Sequence, residues 1–148
     1  MKNEKGFTLV ELLAIIVILA IIALIATPII LNTIENSRKG SAQDSAWATI
    51  EATKLAYAEY LATNAAASPN SSVSFNSEGK GCVAGNVSSG CVSVNLSGTK
   101  PRGGTLTLDS NTGDYTISTS YPLKFSIQGS TYNCSQSGTT ITCTKQTS

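Results

Sequence analysis

Histidine is missing from all 148 positions of this chain. Its absence excludes imidazole acid–base catalysis and the usual zinc sites that need imidazole ligands. Charge is also scarce: charged residues are 13% of the total, and the formal net charge is +1. There is therefore no basic field to drive general nucleic-acid binding. The four cysteines form no C-x-x-C pair, which argues against a redox motif or a zinc ribbon. The chain is long enough for one small domain plus an extended segment.

What the sequence does have is concentrated at its start. Phe7 to Leu31 is a near-unbroken apolar run of 25 residues containing one charge, Glu11. The polar stretch Met1-Lys2-Asn3-Glu4-Lys5-Gly6 precedes it. About 20 apolar residues span a bilayer, so the run is long enough to be a membrane helix. A standard secretory signal has an apolar region of about 7–15 residues followed by an Ala-x-Ala cut. This run is longer, contains an acid and leads to no such cut. A plain membrane anchor leaves Glu11 unexplained, because a carboxylate in the apolar region needs a positive partner. Lys2 and Lys5 place the leader on the cytoplasmic side.

Lys5-Gly6-Phe7-Thr8-Leu9-Val10-Glu11-Leu12-Leu13 resembles the class III signal of type IV pilins and pseudopilins. The resemblance covers about the first 60 residues. It implies that a prepilin peptidase cuts after Gly6, that Phe7 becomes an N-methylated N-terminus, and that Glu11 supports assembly. Losing residues 1–6 removes Lys2, Lys5 and Glu4, leaving eight basic and eight acidic side chains. The domains expected are a leader at 1–6, a transmembrane and filament-core helix at 7–31, an amphipathic helix at 32–66 and a β-rich head at 67–148.

Beyond the apolar run, Ala42, Ala46, Ile50, Tyr57 and Leu61 recur at spacings of about four and seven, forming one apolar stripe flanked by Trp47 and Tyr60. Glu35 and Lys39 stand in the favourable i, i+4 order. Continuous helix from Phe7 to Ala66 would be roughly 90 Å long, more than one small domain can bury. Pro28 interrupts it by removing a backbone donor, and a kink is expected there. In the resembling pilins the segment before this proline can melt on assembly. Gly40 is a weaker breaker. The stretch Asn64–Ser72 ends the helix and begins a loop.

The remainder is rich in Ser, Thr, Gly and Asn, with short alternating runs. Val92, Val94 and Leu96 alternate with polar residues. Leu106 and Leu108 face Tyr115 and Ile117 if Asp109 pairs with Asp114 across Ser110–Gly113. Leu123, Phe125 and Ile127 lead to Gly129-Ser130, which reads as a type II′ turn setting Ile127 opposite Tyr132 and Phe125 opposite Cys134. These runs make one antiparallel sheet whose apolar face awaits the helix stripe, an α+β head.

Four cysteines behind an export-type signal predict two disulfides in an oxidising setting. Cys82 and Cys91 have eight residues between them, as do Cys134 and Cys143. A turn at Gly138-Thr139 sets Cys134 opposite Cys143, within disulfide reach. The equivalent turn in the first pair, Asn86-Val87, is looser because valine resists positive φ. The local pairings Cys82–Cys91 and Cys134–Cys143 are favoured over the two crossed ones. Many resembling pilins instead close a C-terminal region with one long-range disulfide.

Other candidate motifs have simpler readings. Asp109 and Asp114 read as turn residues rather than calcium ligands, which need six to eight oxygens. Asn70, Asn86, Asn95 and Asn133 head Asn-x-Ser patterns expected by chance in a Ser-rich chain. Lys100-Pro101-Arg102 reads as a solvated loop before a DNA or anionic-surface contact.

The expectation is therefore a structural subunit of a type IV pilus, not an enzyme, with no cofactor and no metal site. Roles in adhesion, motility or DNA uptake follow from the resemblance, with any surface receptor or DNA partner unknown. Its partners would be copies of itself and other pilins, the prepilin peptidase, the inner-membrane assembly machinery and the membrane. It would sit in the cytoplasmic membrane as a single-pass protein before assembly and in an extracellular filament afterwards. The alternatives are a pseudopilin of a type II secretion or competence system, and a membrane-anchored binding module that never polymerises.

Overall fold

The computed structural model describes residues 6–63, 70–84, 91–109 and 112–147. Residues 1–5 of the expected leader, residues 64–69 with the expected helix end and loop start, the expected Asn86-Val87 turn and Ser110-Asn111 lie outside the described residues. The chain divides into two compact units, 1–37 and 38–148. Helix α1 covers Leu9–Thr63. Eight strands follow: β1 (Ser72–Ser74), β2 (Cys82–Ala84), β3 (Val92–Ser93), β4 (Thr105–Leu108), β5 (Tyr115–Ile117), β6 (Leu123–Ile127), β7 (Ser130–Ser137) and β8 (Thr140–Lys145). The fold class is α+β, a long helix packed on antiparallel sheets.

In the second unit, the helix buries Ala42, Ala46, Thr49, Ile50, Thr53 and Ala56. Of the stripe expected from apolar spacing, Ala42, Ala46 and Ile50 are buried and Tyr57 packs on the core, whereas Leu61 is 37% exposed. Helical rotation gives the reason. At 3.6 residues per turn, Thr53 points within about 20° of Ala42, whereas Leu61 points about 100° away. Burial of the two threonines is compensated locally. Thr49 Oγ1 donates to the Ser45 carbonyl at 2.8 Å, and Thr53 Oγ1 to the Thr49 carbonyl at 2.7 Å. Each hydroxyl therefore enters the core already hydrogen-bonded, avoiding the cost of a buried unpaired polar group.

The strands form three antiparallel sheets, not one: β1-β4-β5, β2-β3 and β6-β7-β8. Strand β1 occupies part of the stretch read from sequence as loop; three residues with one buried side chain, Val73, are too short to show alternation. In the first sheet, Leu106 pairs with Ile117 and Leu108 with Tyr115, the register that the apolar alternation gives. In the third, the turn between β6 and β7 is Gln128-Gly129, so Ile127 pairs with Ser130, Phe125 with Tyr132 and Leu123 with Cys134. This corrects the Gly129-Ser130 turn. Gln128 (φ 47°) and Gly129 (φ 81°) both take left-handed backbone, as a type I′ turn requires, and that turn matches the strand twist. The one-residue move of the turn shifts each partner by two positions, so every side chain keeps its face.

The sheets share one core in which Tyr115, Tyr132, Phe125, Ile50, Leu106 and Leu123 are the largest fully buried side chains. Hydrogen bonds join the first and third sheets: Arg102 N donates to the Lys124 carbonyl at 2.7 Å, Lys124 N to the Gly103 carbonyl at 3.0 Å, and Ile117 N to Gln136 Oε1 at 3.0 Å. The close approach beside them needs glycine. Gly104 has φ +107°, and a Cβ there would strike the Pro122 carbonyl oxygen and lie 2.6 Å from Leu123 Cα.

Both disulfides are local, Cys82–Cys91 and Cys134–Cys143, with Cα separations of 5.4 and 4.1 Å. Cys134 and Cys143 are direct cross-strand partners. Cys134 Sγ lies 3.7 Å from the Ala42 carbonyl oxygen, so the second cystine packs on the helix.

The helix is also tied to the β4–β5 hairpin. Lys54 Nζ lies 3.0 Å from Asp114 Oδ1 and 3.2 Å from Glu51 Oε1. One turn on, Tyr57 meets Tyr115 edge-to-face with centroids 5.9 Å apart, a favoured aromatic geometry. The hydrogen bond to Asp114 holds the Lys54 amine above the ordinary lysine range, partly offset by desolvation. Burial, and to a lesser degree Tyr57, pushes the Tyr115 phenol up. In both cases the folded pKa is raised, so the associated stability is present below the unfolded pKa and is lost as pH rises through the folded one. The ion pair is half open to solvent and contributes about 0.2–1 kcal/mol.

Two glycines should respond oppositely to alanine. Gly104→Ala should destabilise the head by more than about 2 kcal/mol, through backbone collision and left-handed φ. Gly40 sits inside α1 with nothing within 4 Å of a Cβ position, so Gly40→Ala should stabilise by up to about 1 kcal/mol. Chemical denaturation of the two variants checks both signs. The denaturation midpoint of the wild type should also fall as pH climbs through the lysine and tyrosine range. Lys54→Met and Tyr115→Phe should each flatten that fall; an unchanged slope in both would show that other groups control it.

Candidate functional site

The described N-terminus begins at Gly6, and α1 starts at Leu9. Thr8 stands at the N-cap and Glu11 three residues on, and the two form a closed set of hydrogen bonds. Thr8 N donates to Glu11 Oε2 at 2.9 Å and Thr8 Oγ1 to the same oxygen at 2.8 Å; Glu11 N donates to Thr8 Oγ1 at 3.3 Å. This is a capping box, Thr-x-x-Glu, which satisfies amides that the first helical turn leaves without partners. The carboxylate also lies at the positive end of the helix dipole. Thr8 was not singled out by the reading of the sequence. The signal was there: a threonine three residues before a glutamate, immediately ahead of an apolar run.

Around this cap the apolar helix is uncovered. Its most hydrophobic 18-residue window has mean hydropathy 3.2 and contains no buried residue. Phe7 and Leu9 are each 80% exposed, and the exposed large apolar side chains run on through Leu31. The length and composition fit a membrane span. Gly6 has an open Cβ position and no left-handed φ, so nothing in this chain's own packing requires glycine there.

Pro28 lies inside α1. It has no amide hydrogen to give to the Leu24 carbonyl, one turn earlier. Just before it, Thr27 Oγ1 donates to the Ala23 carbonyl at 2.7 Å, and just after it, Thr33 Oγ1 donates to the Ile29 carbonyl at 2.9 Å. Hydroxyls of this kind are a usual way of holding carbonyls around a break in the ladder of a membrane helix.

Residues 1–27 match the family model described as the prokaryotic N-terminal methylation motif. A motif of this kind is carried by type IV pilins and pseudopilins, and here it covers the first 27 of 148 residues. Together with the apolar helix it fits membrane anchoring. No curated protein and no solved structure matches the chain. The pilin-type match ends within the apolar helix, so the head stands on its own geometry.

In the head, the residues singled out from sequence are separated into different roles. The four cysteines are paired in the two local disulfides. Asp114 is engaged by Lys54, and no cluster of three or more metal-ligating side chains occurs among the described residues. Of Lys100-Pro101-Arg102, the proline is buried and both cations are exposed.

The prepilin reading makes a direct prediction. Mature protein should begin at Phe7 and carry a methyl group on its amine, as read by N-terminal sequencing and intact mass. A start at Met1, or anywhere beyond Leu9, would refute cleavage after Gly6.

Proposed function

We propose that this protein is a structural subunit of a type IV pilus, processed after Gly6, anchored by Phe7–Leu31 and polymerised through that helix. The observation that carries the reading is the fully uncovered apolar helix with a carboxylate one turn from its start. An apolar surface of this extent requires either lipid or other apolar helices around it. Lipid covers the helix before assembly, and copies of the same helix cover it in a filament. The apolar region offers Glu11 no cationic side chain of its own; the next basic residue is Arg38.

Processing would supply the missing charge. Cleavage frees the Phe7 amine, and methylation leaves it cationic. In the precursor Glu11 accepts bonds from the amide and hydroxyl of Thr8. A charged amine from a neighbouring subunit makes a stronger, charge-assisted bond to the same carboxylate. The capping box thus holds the acceptor in place, and a neighbour's N-terminus would set the axial stagger of subunits. Pro28 belongs to the same proposal: a ladder already missing one bond there can loosen as helices pack. The heads would coat the filament.

Two substitutions separate the roles of Glu11. Glutamine keeps the capping-box geometry but loses the charge; alanine loses both. Expressed as the only copy, Glu11→Ala and Glu11→Gln should both enter the membrane and be cleaved, yet filament incorporation should fall by roughly tenfold or more, as expected when one partner of a desolvated ion pair is removed. Immunoblots of sheared filaments against membrane pools give the ratio. Wild-type incorporation of Glu11→Gln would show that Glu11 acts as a helix cap and not as a charge. Electron microscopy of the same preparations should show long surface fibres.

A further inference from the structure

The head holds a cleft of about 200 Å³ between the segment leading into β4 and the segment leading into β6. Arg102, Gly103, Gly104, Ser120, Tyr121 and Lys124 line it. Its walls are fixed by main-chain bonds. Arg102 N and the Lys124 carbonyl are 2.7 Å apart, Lys124 N and the Gly103 carbonyl 3.0 Å, and Thr105 N and the Tyr121 carbonyl 3.0 Å. Pro101 and Leu123 are fully buried beside it, so the cleft is anchored to the core. The close approach at Gly104 brings the two segments within backbone contact.

Its rim is unusual for this chain. Tyr121 is 68% exposed, and Arg102 and Lys124 are exposed as well. Neither cation takes part in any of the ion pairs among the described residues, which involve Lys54 and Lys80. An aromatic side chain and two cations outside any of these ion pairs therefore line one hollow whose walls are held by main-chain bonds.

We propose that this cleft binds a terminal acidic sugar of a glycan, a pyranose carrying a carboxylate. The carboxylate would sit between Arg102 and Lys124, the C–H face of the ring on Tyr121, and a ring hydroxyl near Ser120. The guanidinium fork matches a carboxylate in shape as well as charge. Tyrosine offers an apolar ring with a polar tip. The hollow is below the usual range of about 300–1,000 Å³ for small-molecule pockets, which fits one ring and not an extended ligand. Two cations are too few to track a phosphate backbone, whose binding grows with the number of phosphates neutralised.

The test uses the full-length, ¹⁵N-labelled chain in detergent micelles. It is titrated separately with a methyl glucuronoside, the neutral methyl glucoside and a single-stranded oligothymidylate. The glucuronoside should shift the amides of Gly103, Gly104 and Tyr121 saturably, with a Kd on the order of 1 mM, as expected for one small ring and one charge contact. The glucoside should bind about tenfold more weakly, and Arg102→Gln and Tyr121→Ala should each weaken glucuronoside binding about tenfold. Amide spectra unchanged away from the cleft show that both variants keep the fold. Equal affinity for the two sugars, wild-type affinity in both variants, or no saturable shift would overturn the proposal. Tighter binding of oligothymidylate at the same amides would also overturn it, in favour of a nucleic-acid site.

Discussion

The pairing of Glu11 with the start of its own helix is the interaction from which the rest of this molecule follows. A carboxylate inside an apolar run is tolerable only if its oxygens have donors. Thr8 supplies two of them on a single oxygen. This keeps the acid ordered at one end of a helix that has no other polar anchor until well past Pro28. The same helix meets a second requirement further along. From Ala42 to Ala56 the face that meets the sheets is mostly small, alanine and threonine with the single large side chain Ile50 among them. Large side chains on the sheets, Phe125, Tyr132 and Leu123, complement the small ones on the helix.

Much of this was legible in the sequence, and the misses have physical causes. The apolar run, the Gly6-Phe7-Glu11 signal and the α+β class could be read because each rests on strong local patterning. The 106–117 hairpin register could be read because both of its strands alternate cleanly. The 123–134 register could not be fixed, because Gln128-Gly129 and Gly129-Ser130 are both credible turns and both keep the apolar face inward. The stripe on the helix was right at Ala42, Ala46 and Ile50 but missed Thr49 and Thr53, because threonine does not read as apolar; its i−4 bonds let it behave as a small core residue. Strand β1 carries one buried side chain and left no pattern to find.

The candidate sites divide along the same line. Thr8 was recoverable from spacing to Glu11. The link between Lys54 and Asp114 joins residues 60 positions apart, and the cleft at Arg102 and Tyr121 arises only when two segments are brought together by main-chain bonds. No linear motif encodes either. The head is poor in large apolar residues and rich in Ser and Thr, so its order rests on a modest core supplemented by cystines and by contacts to the helix.

The short span of the two cystines bears on how the head matures. Each links residues nine positions apart, whereas Cys82 and Cys134 stand 52 apart. By loop-closure entropy alone, the longer closure is disfavoured by about 1.5 kcal/mol relative to the local one. In an unfolded chain, closure entropy therefore favours the native pairs before any sheet has formed. Cys82 and Cys91 can close while the last third of the chain is still arriving. Pairing in the order in which the cysteines appear would leave few wrong bridges to undo.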